Sequence, residues 1–138
     1  MNVAELLSWN GEWLRARLNA RATHKLRTEL RRFQRGTGLL FVGLWAAKDV
    51  LIEYAGEPAL APRIYPYASA YVPTVESVRL EGGETHDCLL YRPRLGPNTP
   101  ALGLLAADVR GLDVSALFDA IEQTGDAVES ILVSALPR

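Results

Sequence analysis

Apolar residues recur along this chain with two periods, and the places where one gives way to the other predict its elements. Val3, Leu6 and Leu7 share one side of a helical segment over residues 3–9, with Asn2 placed to cap it. Asn10-Gly11 interrupts. From Glu12 onward Leu14, Leu18, Ala22, Leu26 and Leu30 recur every fourth residue, ending near Phe33. One narrow apolar stripe with arginines around the rest is the pattern of an amphipathic helix. Residues 21–31 also alternate with period two, as a strand would. Helix is favoured there because Arg, Leu, Ala, Glu and Lys are good helix formers and β-branched residues are scarce.

Gly36-Thr37-Gly38 breaks the helical pattern. Leu39 to Trp45 is apolar almost throughout and reads as a strand buried on both faces, with Val50 to Tyr54 as its partner and residues 46–49 as the connection. Pro58, Pro62, Pro66 and Pro73 punctuate residues 56–74 and exclude a regular helix. Val75 to Leu80 and Cys88 to Tyr91 flank Glu81-Gly82-Gly83-Glu84, which predicts a hairpin with its tip at the glycine pair. Ala101 to Ala107 is a further strand.

Asp113 is an N-cap for a helix in which Val114, Leu117, Phe118 and Ile121 share a face, and Gly125 is expected to end it. Asp126 with Glu129 then resembles a second capping arrangement, followed by Val128, Ile131, Leu132 and Ala135, although Ile131 and Val133 also suit a strand. The expected fold class is α+β. It has an N-terminal helix, a mainly antiparallel sheet of about four to five strands and one or more C-terminal helical segments, in two layers. A length of 138 residues fits one domain. Within it, residues 1–35 form a basic helical arm and residues 36–138 an acidic, sheet-containing body.

Charge sharpens that division. Arg15, Arg17, Arg21, Lys25, Arg27, Arg31, Arg32 and Arg35 face only Glu5, Glu12 and Glu29 within residues 1–35, a net +5. The rest of the chain has seven cations and thirteen acids, a net −6, so the formal −1 hides the asymmetry. A basic arm on an acidic body points to an anionic partner or to the body of a second copy. Thirteen of the fifteen cations are arginine. Arg also dominates outside the arm, so codon bias accounts for the excess better than a dedicated anion site does. The longest apolar run, Leu39 to Ala47, is far short of the roughly 20 residues a membrane span needs. With no signal-peptide pattern and a single cysteine, the expected location is cytoplasmic, with no membrane partner.

Candidate chemistry is thin. Thr85-His86-Asp87-Cys88 is the densest reactive set, and on a strand His86 and Cys88 share a face. His24 is the only other histidine and there is no other cysteine, so a closed zinc site lacks ligands and neither metal nor cofactor is expected. A Cys88–His24 nucleophilic pair has no supporting signature. The chain has no Gly-x-Ser-x-Gly elbow, phosphate loop or dinucleotide fingerprint.

The expected function is therefore non-enzymatic binding and assembly as a homo-oligomer. Trp9 and Trp13, together with Tyr65, Tyr67 and Tyr71 of the proline-rich stretch, are the partner-binding candidates. The alternative is nucleic-acid binding through Arg17, Arg21, Lys25, Arg27, Arg31 and Arg35. The third reading is a small-molecule enzyme or metal site around His86 and Cys88. No feature identifies a small-molecule ligand.

Overall fold

Asn19 sets where the first helix begins. Its backbone is extended and its side chain accepts a hydrogen bond from the Ala22 N–H at 2.8 Å, satisfying one of the donors that a helix start leaves open. The computed structural model describes residues 18–46, 50–58, 73–79, 83–92 and 103–135. Helix α1 spans Ala20–Thr37 and settles the ambiguity over residues 21–31 in favour of helix. It starts at Ala20 rather than near Glu12, because the Asn19 cap terminates it on that side. It also runs past Phe33 to Gly38, which ends it in the left-handed region at φ 74° with its N–H on the Gln34 carbonyl.

Five strands follow: β1 Phe41–Ala46, β2 Val50–Gly56, β3 Thr74–Arg79, β4 Thr85–Tyr91 and β5 Gly103–Ala107. All four pairings are antiparallel, and the sheet order is β2-β1-β5-β4-β3. The hairpins β1–β2 and β3–β4 were both expected, and the second pairs Val78 with His86, while Gly82 of the expected tip lies outside the described residues. Strand β5 lies between them, and all five of its residues are buried. That position suits Gly-Leu-Leu-Ala-Ala, which has no polar side chain to expose on either face. Polar residues concentrate on edge strand β3, where Glu76, Ser77 and Arg79 are exposed.

Helix α2, Val114–Ala135, is one continuous helix, capped by Asp113 Oδ1 accepting from the N–H groups of Ser115 and Ala116. Gly125 does not end it, and no second cap forms at Asp126. A glycine within a helix costs only about 1 kcal/mol relative to alanine. Gly125 and Thr124 are buried with Leu117, Ile121, Val128 and Leu132, so burial of this stripe outweighs the local penalty. The β-branched Ile131 and Val133 are carried along in the same helix.

Both helices bury their stripes against the same face of the sheet. Leu26, Leu30 and Phe33 of α1 join Leu117, Ile121, Val128 and Leu132 of α2 over Val42, Leu44, Leu89, Leu104 and Ala106. Each fully buried leucine is worth about 2 kcal/mol relative to exposure. The opposite face has its own buried cluster of Phe41, Trp45, Cys88, Leu90, Leu105 and Ala107. The expectation of two layers described only the helical side and left this second cluster out.

Gly43 lies on that second face between two aromatic neighbours. The Phe41 and Trp45 rings are 5.9 Å apart by centroid, and Phe41 also stacks with Tyr54 at 5.8 Å. A Cβ on Gly43 would clash with the edge of the Trp45 ring, 2.6 Å from its Cη2, and lie 2.9 Å from Phe41 Cζ. The strand glycine thus makes room for the rings to lie across the backbone. Gly43→Ala should cost about 1–3 kcal/mol in urea unfolding, the usual range for overpacking. A variant as stable as wild type would show that the rings do not occupy that space.

Candidate interaction surface

With the α1 stripe buried, its cations are left on the solvent side. Residues 20–37 contain Arg21, Lys25, Arg27, Arg31, Arg32 and Arg35 against the single acid Glu29. Two of the six are engaged by described residues. Arg32 Nη1 is 3.2 Å from the half-buried Glu29 one turn earlier, and with Arg32 itself exposed the pair has small energetic weight. Arg27 Nη2 donates to Glu53 Oε2 at 3.1 Å. Among the described residues, Arg21, Lys25, Arg31 and Arg35 are exposed and have no hydrogen-bond or ion-pair partner. Arg27, a candidate nucleic-acid contact on sequence, is therefore tied into the fold, whereas these four are not.

Glu53 explains why Arg27 differs. Leu44 pairs with Glu53 and Trp45 with Leu51, so Ile52 is an extra residue in β2. This bulge breaks the alternation that would put Leu51 and Glu53 on one face. Leu51 packs into the second cluster, Ile52 into the helical core, and Glu53 sits 8% exposed beneath α1. Its other oxygen accepts from the Tyr54 N–H at 3.0 Å. No pattern in the sequence announces the bulge, so the pair was not legible there.

Helix α2 shows the opposite sign. It has Asp119, Glu122, Asp126 and Glu129 and no cation. Asp119, Glu122 and Asp126 are exposed and have no partner among the described residues. Burial pushes the Glu129 carboxyl above its ordinary value, and the neighbouring Asp126 adds to the rise. The helices run antiparallel. Across one end of the groove between them, Arg21, Ala22 and Lys25 face Ser130, Ile131 and Ser134; at the other, Phe33 and Gly36 face Ala120 and Gln123.

The reactive set on β4 forms a clasp. His86 Nδ1 donates to Asp108 Oδ2 at 3.0 Å, just past the end of β5. Arg110 closes the arrangement: its backbone N–H donates to Asp108 Oδ1 at 2.9 Å, and Nη2 lies 3.2 Å from Asp108 Oδ2. Nη2 also donates to the Thr85 carbonyl, and Nε lies 3.7 Å from Asp87. The Asp87 carbonyl accepts from the Val109 N–H at 2.9 Å. These contacts fasten the segment leading into α2 onto β4. His86 Nε2 is buried without a hydrogen bond, and Glu84 Oε2 is 3.8 Å away.

Cys88 shares strand parity with His86, as expected, but its side chain is fully buried in the second cluster. Burial, with the charges of Asp108 and Asp87, pushes its thiol up to about 12 against a smaller opposing effect of Arg110. A thiol in that state supplies almost no thiolate near neutrality. His24 is exposed on α1, on the other side of the sheet, so the two do not meet. Among the described residues, no group of three His, Cys, Asp or Glu side chains could hold a metal ion. Arg17, Trp9, Trp13, Tyr65, Tyr67 and Tyr71 lie outside the described residues.

Comparison with known protein families, curated proteins and solved structures finds no match to this chain. Among the described residues, no helix is long and apolar enough to cross a membrane.

The clasp has a pH signature. Burial tends to raise the Asp108 carboxyl, but the Arg110 N–H, the His86 ring and the charges of both outweigh it and hold the pKa below its ordinary value. A carboxyl depressed by folding stabilises above its unfolded pKa and loses that contribution as pH falls through the folded value. Asp108→Asn should therefore cost about 2 kcal/mol at pH 7, a charged hydrogen bond's share. The gap to wild type should narrow below about pH 4. Urea unfolding across pH checks it, and a constant gap would rule out a charge-dependent clasp.

Proposed function

We propose that this chain is a non-enzymatic binding and assembly domain whose recognition surface is the outer face of α1. One observation supports the reading above the others. Arg21, Lys25, Arg31 and Arg35 are exposed on one helix and have no partner among the described residues, while the same helix is anchored by a fully buried stripe. Four cations of like sign on one short surface repel each other, and an acidic protein surface would relieve that repulsion. The buried, high-pKa Cys88 and the engaged His86 and Asp87 favour binding over catalysis.

Nucleic acid is the second reading, favoured by cations that recur on successive helical turns and could follow phosphates. Against it, the acids of α2 lie alongside and would repel a polyanion extending past α1. An acidic protein surface of limited extent meets no such conflict. A cytoplasmic setting suits either partner.

Titrating isotope-labelled protein with poly-L-glutamate at low salt should shift amides within residues 21–35. The variant R21Q/K25Q/R31Q/R35Q should bind at least about tenfold more weakly, as loss of several charge contacts implies. Its stability should stay within about 0.5 kcal/mol of wild type, since the changes are at the surface. Shifts located elsewhere, or unchanged affinity in the variant, would remove α1 as the recognition surface.

A further inference from the structure

We infer that the partner of the α1 face is the α2 face of a second copy of this chain, joined as a twofold-symmetric pair. This rests on α1 being a binding surface and adds what binds it. Both helices bury their stripes in one core on one side of the sheet, so their outer faces look away from the sheet side by side. One face is basic, with Lys25, Arg31 and Arg35 exposed; the other is acidic, with Asp119, Glu122 and Asp126 exposed.

The groove contacts fix the relative level of these charges. Gly36 lies across from Ala120, and Lys25 from Ser130 and Ile131, in an antiparallel arrangement. Arg35 is therefore level with Asp119 and Glu122, and Arg31 with Asp126.

Consider a twofold axis running above the groove, parallel to both helices. It places α1 of each copy over α2 of the other without changing level, so the basic series meets the acidic series twice. An isologous contact of this kind needs a surface that is self-complementary, and this one is. An axis across the helices would instead lay α1 on α1 and α2 on α2, setting like charges together. The charge pattern selects the first arrangement and opposes the second. Attraction between exposed charges is screened within about 8 Å at physiological salt and about 3 Å at 1 M, so the pair should be weak and salt-sensitive.

Sedimentation equilibrium of the full chain tests this. Wild type should approach twice 15.2 kDa at low salt and return to 15.2 kDa at high salt. The variants K25E/R31E/R35E and D119K/E122K/D126K should each be monomeric at low salt, because each then opposes like charges. Mixed in equal amounts they should recover the dimer mass, since both interfaces are again complementary. Circular dichroism checks that each variant folds, and the wild-type salt series decides if either does not. A wild type monomeric at every salt, a dimer retained in both variants, or a mixture that stays monomeric would overturn the pairing. A monomer that still binds poly-L-glutamate through α1 would sink the second copy alone, leaving α1 as a binding surface. If poly-L-glutamate binding is absent as well, both readings fail. A monomer binding duplex DNA through α1 with a steep salt dependence would replace the second copy by nucleic acid.

Discussion

Two apolar stripes share one face of the sheet, and the rest of the molecule is arranged around that constraint. Leu26, Leu30 and Phe33 on one helix and Leu117, Ile121, Val128 and Leu132 on the other enter the same core. Once both stripes are committed inward, every charge on either helix must face outward or sideways. Helix α1 then displays arginine and lysine, and α2 displays aspartate and glutamate. The separation of charge follows from burial and needs no further interaction to hold it.

The two faces of the sheet serve different ends. The helical side includes the pair of Arg27 with the buried Glu53, made possible by the bulge at Ile52. Half of Arg27 remains in solvent, which moderates the cost of keeping Glu53 charged beneath the helix. The opposite side is aromatic and small-residue packing around Gly43, with Cys88 enclosed in it. At its margin the His86–Asp108–Arg110 clasp ties β4 to the start of the α2 segment. The residues that look most reactive in the sequence are thus occupied in holding two elements together.

Much of the fold was legible because the local signals agreed with the tertiary solution. The apolar runs flanking Glu81-Gly82-Gly83-Glu84, the doubly apolar Leu39 to Trp45 stretch and the Asp113 cap each led to the element they predicted. The failures have physical causes. Gly125 reads as a stop only while its environment is unknown, and burial of Thr124 and Gly125 overrides it. The helix expected from Glu12 onward runs through Asn19, yet the Asn19 side chain begins the helix there. The central placement of β5 depends on which hairpins meet, and no local pattern encodes that. Of the candidate site, the sign and density of charge on α1 were readable. Which cations are consumed by the fold was not, because Glu53 reaches Arg27 only through the bulge. Nor was the charge on α2 recognised as a counterpart, since its level relative to α1 comes from the antiparallel packing.

A face-to-face pairing of the helices makes a positional claim that can be read residue by residue. Thr28 is exposed on the outer side of α1, and replacing it by cysteine provides a spin-label site without removing a cation. The native Cys88, buried and with its thiol pushed up to about 12, should not compete for the label. Labelled Thr28→Cys protein is mixed at low salt with isotope-labelled wild type, and paramagnetic broadening is recorded on the wild-type amides alone. Broadening centred on α2 near Asp126, and abolished at high salt, is the expected result. Broadening centred on α1, on the edge strands, or nowhere would contradict the pairing of the basic helix with the acidic one.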